Sequence, residues 1–358
     1  MTSPEGVRIL DGGLGTSLED RYGAVFDDST PLWSSHFIVS DPDTLLACQR
    51  EFVVEAGVDV LLTATYQVSI EGFARTKVPQ YPDGIPKYAI GRYLANAVGI
   101  AEKAAKAQSS SSPSASLALS LGPYGACMVP GQEYSGHYDD GHNTEDALYQ
   151  WHLERLRLFT NVQGLMDRIA FVAFETVPRL DEIRAIRRAY HDANIGGKFW
   201  ISCVFPGEAN LLPDGTSVEH AVKGMLAPLS GGSKPWGIGI NCTKINKLPK
   251  LINYYDETVQ SMLAFSELVT TPCLLLYPDG TKGEVYNTTT KKWEKKNDDT
   301  HATNHEGPWA KELAKIVRAS QDQGIFRSYV VGGCCKASVA DISELRQEFP
   351  SSSSSSRI

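Results

Sequence analysis

Eight short runs of β-branched and apolar residues recur along this chain with amphipathic stretches between them, and this alternation limits the fold more than any other feature. The runs fall at residues 7–11, 58–65, 116–122, 169–175, 198–205, 236–241, 272–277 and 328–332. Between most of them, residues 44–56, 90–107, 144–166, 180–192, 219–227, 248–257 and 309–323 place apolar side chains at helical spacing. Strand and helix in alternation imply parallel strands joined by right-handed crossovers. Eight such units close into a (β/α)8 barrel, whereas an open doubly wound sheet usually has fewer. The expected fold class is α/β, a (β/α)8 TIM barrel, forming one domain over residues 1–349 with long βα loops. A length of 358 residues exceeds the usual single domain, but a barrel with long loops reaches it. The Ser-rich tracts at 109–116 and 351–356 cannot bury apolar surface, so a disordered insertion in the barrel domain and a disordered tail over 350–358 are expected. Two long connections, 123–143 and 278–307, follow the third and seventh strands. That places them on the C-terminal face, where barrels keep their active sites, as candidate substrate lids.

Composition excludes several classes of function. A net charge of −8 and a pI near 5.5 give no basic footing for a phosphate backbone, so no nucleic-acid partner is expected. No run of about 18 apolar residues exists to cross a bilayer, and no membrane partner is expected. Residues 1–8 carry no basic segment leading into an apolar core, which points to a cytoplasmic, reducing location. The terminal Ser-Arg-Ile differs at two of three positions from the peroxisomal Ser-Lys-Leu address and leaves that expectation in place. In such a compartment seven cysteines read as free thiols, metal ligands or nucleophiles rather than as a disulfide framework.

Three of the seven stand out by position. Gly237-Ile-Gly-Ile-Asn-Cys242 ends the sixth expected strand and Val331-Gly-Gly-Cys-Cys335 ends the eighth, so a barrel would bring both segments to one rim. Three thiolates occupy three corners of a tetrahedron around Zn2+, and a catalytic zinc site keeps its fourth corner for water or substrate. Gly239, Gly332 and Gly333 are small enough to let the backbone bring the sulfurs close to a metal. Other roles remain for each cysteine taken alone. Cys242 fits an apolar strand as a small core residue, and the adjacent Cys334 and Cys335 fit an oxidation-prone thiol pair. Cys48, Cys203 and Cys273 read as core fillers, and Cys127 lies in a loop without a ligand partner in sequence. Two other signals lead nowhere. The glycines of Asp11-Gly-Gly-Leu-Gly-Thr-Ser-Leu18 miss the dinucleotide fingerprint, because Leu18 stands where its third glycine belongs. His137-Tyr-Asp-Asp-Gly-His142 has the composition of a solvated, turn-forming loop.

The two cysteine segments are similar to the zinc-binding signature of the homocysteine S-methyltransferases. The resemblance, closest to the type that uses S-methylmethionine or S-adenosylmethionine, continues through Asp11-Gly-Gly-Leu-Gly, Pro31-Leu-Trp-Ser34, Thr63-Ala-Thr-Tyr-Gln67, Gly122-Pro-Tyr-Gly-Ala126, Phe174-Glu-Thr-Val-Pro178 and Tyr277-Pro-Asp-Gly280, covering nearly the whole chain outside the Ser-rich tracts. It implies a (β/α)8 barrel enzyme, with Zn2+ on Cys242, Cys334 and Cys335, that methylates homocysteine to methionine from a sulfonium donor. It also implies that Asp11 and Glu175 meet the substrate ammonium and that backbone N–H groups of Gly12 and Gly13 meet its carboxylate, with Thr65 adding a hydrogen bond. Trp33, Tyr66, Tyr124 and Tyr134 lie in segments expected on the catalytic rim, where aromatic faces suit a cationic donor and equally suit packing. Thr176, where betaine-using relatives have an aromatic residue, and Asp279, where Asn is frequent, argue against betaine. A related methyltransferase using selenocysteine, betaine or a folate-bound methyl, and a non-catalytic zinc or redox protein, are the competing functions.

Overall fold

The computed structural model describes residues 6–107, 114–281, 284–287, 292–295 and 308–350. The expected Ser-rich insertion and tail fall, apart from residues 114–116 and 350, outside the described residues.

Eight parallel strands form the centre: β1 (Gly6–Ile9), β2 (Val60–Leu62), β3 (Ser116–Leu121), β4 (Phe171–Val177), β5 (Lys198–Cys203), β6 (Gly237–Asn241), β7 (Cys273–Tyr277) and, after a two-stranded hairpin of β8 (Glu284–Asn287) and β9 (Lys292–Lys295), β10 (Ser328–Val331). Around the sheet the order is β1, β10, β7, β6, β5, β4, β3, β2. A parallel bridge between Leu10 and Val60 joins the two ends and closes the ring. Every central pairing is parallel, as the alternation of strand and helix requires.

Two apolar layers hold this arrangement. Inside the ring Leu10, Val60, Ala118, Phe171, Ala173, Trp200, Leu275, Tyr277 and Val330 fill the barrel. The outward faces of the strands pack against the helices in a larger cluster that includes Phe52, Leu94, Phe159, Ile186, Met225, Val259 and Leu313. Because the strands are covered on both sides, they read in sequence as nearly unbroken apolar runs. Local chemistry sets the helix starts. Asp41 accepts a hydrogen bond from the Thr44 N–H ahead of helix Pro42–Val54, Thr144 caps Glu145–Thr160 and Ser217 caps Val218–Leu226.

The structure departs from the sequence expectations at several places. Helices Leu14–Tyr22, Ile70–Arg75 and Val339–Glu348 were not expected, and neither was the hairpin within the connection that follows β7. Strand β2 ends at Leu62, three residues before the expected limit, because the chain turns there: the Thr65 N–H donates to the Thr63 carbonyl at 2.9 Å. Cys48, Cys203 and Cys273 are buried in the core.

Candidate active site

Strand β7 is the hinge of the site's construction, because it lies between β6 and β10 in the ring. The Cys242 N–H, just past β6, donates to the Tyr277 carbonyl at 3.3 Å, and the Cys334 N–H, past β10, donates to the Pro278 carbonyl at 2.8 Å. Cys335 is tied to the same segment, its carbonyl accepting from the Gly280 N–H at 2.8 Å. One strand end thus aligns three cysteines from segments 92 residues apart. The three sulfurs lie within 4.8 Å of one another and are the one cluster of metal-ligating side chains among the described residues. Thiolates bound tetrahedrally at about 2.3 Å stand roughly 3.8 Å apart, so the cluster has the dimensions for a divalent ion such as Zn2+.

Cys242 and Cys334 are paired as a disulfide, with their Cα atoms 5.4 Å apart. Sequence reasoning set aside a disulfide framework and named these two cysteines as metal ligands; β6 and β10 end close enough for the two sulfurs also to bond to one another. The ligand set therefore exists in the reduced chain. Burial, and next the charge of Asp279, push the Cys335 thiol up to about 12.

Two residues to which sequence reasoning gave no part in the sulfur cluster contact it. Asn241 is fully buried; its side-chain oxygen accepts from the Thr176 N–H at 2.8 Å, while Nδ2 donates to Thr176 Oγ1 at 2.8 Å and to Cys242 Sγ at 3.4 Å. The Thr176 hydroxyl lies 3.7 Å from the same sulfur. Both stand next to residues already singled out, Cys242 and Glu175, and that adjacency was the available signal. Thr176 (φ 59°), Cys242 (φ 46°) and Trp33 (φ 47°) all adopt the left-handed region while lining the cavity, backbone strain of the kind that collects at functional sites. Replacing Asn241 with Ala is expected to weaken metal binding about 10- to 100-fold, the range for partners behind metal ligands, as measured by competition with a chromogenic chelator.

The glycines have a different task from the one expected. A Cβ on Gly239 would lie 2.4 Å from the Leu275 carbonyl oxygen, and one on Gly332 would lie 2.7 Å from that of Asp11. They permit close approach of neighbouring strands rather than of sulfur to metal.

The cysteines form one wall of a cavity at the C-terminal end of the barrel, and Asp11, Gly12, Gly13, Thr63, Ser120 and Glu175 form another. Asp11, 3% exposed, is oriented by the Leu62 N–H, which donates to its Oδ2 at 2.9 Å; Oδ1 has no hydrogen-bond partner. Burial holds the Asp11 carboxyl well above the usual carboxylate range, and the charge of Glu175 adds to the effect. Glu175, buried beside it, accepts a hydrogen bond from the Ser120 hydroxyl, and burial pushes its carboxyl up to about 7. Two buried acids, one with an oxygen left over, suit a compact cation.

Other expected residues are placed differently. Thr65 does not line the cavity: its hydroxyl donates to the Ser120 carbonyl at 2.8 Å and pairs with Thr63 Oγ1 at 2.6 Å, so Thr63 takes its place in the wall. The Gly13 N–H is also engaged, donating to the Ala337 carbonyl at 3.0 Å, whereas Gly12 and the start of helix Leu14–Tyr22 face the cavity. Trp33, Tyr66 and Tyr134 line the cavity, but Tyr124 stacks on His142 at 4.1 Å and hydrogen-bonds Asp139 outside it. Arg155, buried behind this wall, fixes the loops by donating to the carbonyls of Gly122 at 2.6 Å and Tyr66 at 2.5 Å. Both long connections reach the cavity, one through Glu133 and Tyr134, the other through Trp293 of β9. Sequence reasoning missed Glu133 and Trp293.

Fold and site together define a barrel enzyme with a thiol cluster and a pair of buried acids on its catalytic face. The family profile described as homocysteine S-methyltransferase matches residues 8–349, and the chain belongs to that family. It is 29% identical to homocysteine S-methyltransferase of Escherichia coli K12 over 347 residues, covering 95% of this chain and 94% of that one. It is 27% identical to homocysteine S-methyltransferase 1 of Arabidopsis thaliana over 349 residues, covering 96% and 94%. The metallated form of the E. coli homocysteine methyltransferase MmuM superposes with a TM-score of 0.67 at 23% identity, covering 96% of each chain, and shares the barrel. The reaction is therefore methyl transfer to homocysteine, giving methionine. No helix among the described residues is long and apolar enough to cross a membrane.

Proposed function

We propose that the methyl donor is a sulfonium, S-methylmethionine or S-adenosylmethionine, and that Zn2+ held by Cys242, Cys334 and Cys335 activates the homocysteine thiol. The observation that carries this reading is the set of three sulfurs within 4.8 Å of one another on a cavity whose other wall holds two buried acids. A free homocysteine thiol, with a pKa near the ~8.5 of cysteine, is mostly protonated at neutral pH. When bound, Zn2+ supplies the positive charge that removes this proton, while three thiolate ligands keep the site electron-rich enough for the substrate sulfur to remain nucleophilic.

The remaining work falls to the chain's own groups. Asp11 Oδ1, left without a partner, and Glu175 take the substrate ammonium. Gly12 and the first residues of helix Leu14–Tyr22 line the same space, and their N–H groups are the donors assigned to the carboxylate. Asn241 Nδ2 and the Thr176 hydroxyl donate toward Cys242 and hold its orientation. Trp33, Tyr66 and Tyr134 offer aromatic faces to a cationic donor. With both substrates so placed, the bond from the donor sulfur to the methyl carbon breaks as the bond to the homocysteine sulfur forms. The donor keeps the electron pair and leaves as a neutral thioether, and the thiol proton goes to solvent. Alignment of the two sulfurs is the main gain.

Protein purified under reductant without chelators is expected to contain zinc and to form methionine from homocysteine with S-methylmethionine or S-adenosylmethionine, each offered singly. Betaine, opposed by Thr176, is expected to give none. Metal-free reduced protein, inactive with every donor, would overturn both the zinc and the donor assignments.

A further inference from the structure

The cavity does not end at the cysteines and the two acids. It adjoins a second cleft, walled by Phe26, Thr30, Arg75 and Met128 among others, and the residues common to both are Trp33, Gln67 and Glu133. Glu133 is the acidic one of the three. It is 7% exposed, its Oε2 has no hydrogen-bond partner, and burial pushes its carboxyl up to about 7. A buried carboxylate oxygen without a donor is costly in a folded chain and calls for a partner that arrives later. Asp11 and Glu175 lie on the homocysteine side and already serve its ammonium, so Glu133 stands available to a different cation.

We propose that Glu133 binds the α-ammonium group of the methyl donor, making it a specificity residue for sulfoniums that carry a methionine arm. The inference rests on the sulfonium-donor reading above. In line transfer requires the donor's methyl to face the homocysteine sulfur beside the cysteines. The arm that carries the ammonium must then lead away from that point, and the seam between cavity and cleft is where Glu133 waits. Arg75, in the wall of the cleft, supplies a cation for the carboxylate at the end of the same arm. S-methylmethionine and S-adenosylmethionine share this arm and differ in the third substituent on sulfur, so both fall within the proposal.

The test is direct binding to the full-length reduced protein, followed through tryptophan fluorescence, since Trp33 and Trp293 line the cavity. S-methylmethionine and S-adenosylmethionine are titrated separately, with dimethylsulfoniopropionate, a sulfonium without an ammonium group, as the third ligand. Glu133→Gln is expected to weaken binding of the first two by about 10- to 100-fold, the range for hydrogen bonds to charged groups. It is expected to leave dimethylsulfoniopropionate binding and the KM for homocysteine unchanged, and Glu133→Asp is expected to restore part of the loss. The methionine-type sulfonium with the higher affinity for the wild type identifies the preferred source of the arm. Unchanged S-methylmethionine affinity in Glu133→Gln, or an equal loss for all three ligands, overturns the proposal, as does a wild type that binds neither methionine-type sulfonium. Glu133-dependent binding without methionine formation would sink the functional reading and leave this one standing. Methionine formation that ignores Glu133→Gln would do the reverse.

Discussion

Cys242→Ser is expected to abolish metal retention and to reduce methyl transfer by more than ~100-fold, since disturbing even the partners behind a metal ligand costs about 10- to 100-fold. Zinc per chain by emission spectrometry and methionine formation by chromatography are the two measurements. Serine keeps the size of the side chain and its place beside Asn241 and Thr176 but offers a hydroxyl, which does not ionise as a thiol does near neutral pH. The substitution also removes one partner of the Cys242–Cys334 disulfide. A merely structural role for the pair would therefore show as lower thermal stability in oxidised protein, with zinc content and activity of the reduced protein intact. A ligand role shows in the reduced protein, where no disulfide exists to be lost. Cys335→Ser separates the two further, because Cys335 is free of the disulfide and belongs to the cluster. Reduced Cys335→Ser that binds zinc and turns over like the wild type would remove the three-sulfur site from the account.

What the sequence reveals and what it hides follow from how each feature is encoded. The eight central strands are legible because burial on both faces writes them as apolar runs, and the cysteines because strand ends share one rim. Helix Val339–Glu348 was not expected, although Ser338 and Asp341 form a capping box whose spacing is plain in the sequence, because its apolar stripe is weak. Helix Leu14–Tyr22 was not, since Gly12, Gly13 and Gly15 read as a loop, and only packing against Trp33 and the close approach of Ala337 explain why glycines open a helix there. Thr65 stands off the cavity wall because the chain turns at Thr63, which leaves its hydroxyl bonded to Ser120 and Thr63; a turn made by backbone hydrogen bonds leaves no mark in the residue pattern. Glu133 lies in a loop rich in Gly and Pro, where nothing local signals burial. It is 7% exposed in the folded chain, a burial set by the packing of the loop against the barrel rather than by its own sequence.

Methionine, the reaction's product, isolates the amino-acid half of the site because it has no thiol to titrate. Its affinity is expected to rise between pH 6 and pH 8 in the wild type and to be weaker and flatter in Glu175→Gln. The sign follows from burial, which lifts the Glu175 carboxyl from about 4.5 to about 7, so that below pH 7 the ligand-free protein holds it protonated and an ammonium group must displace that proton. Each pH unit below 7 then costs up to about tenfold in affinity, and above 7 the dependence levels off. Asp11, raised for the same reason, leaves some slope in the variant. Loss of a charge-assisted hydrogen bond of ~1.5–3 kcal/mol corresponds to binding about 10- to 100-fold weaker at pH 8, with zinc content unchanged. Stability moves the opposite way. A carboxyl whose folded pKa is raised contributes stability that is complete below its unfolded value near 4.5 and is lost as pH rises through 7. Glutamine carries no such charge, so ligand-free Glu175→Gln is expected to melt higher than the wild type at pH 8 and close to it at pH 5. A packing role for Glu175 predicts lower stability at both pH values, and zinc loss in this variant would mean that the acid supports the metal rather than the substrate. Higher stability together with weaker binding is the signature of a carboxylate kept buried for a cation that comes with the substrate.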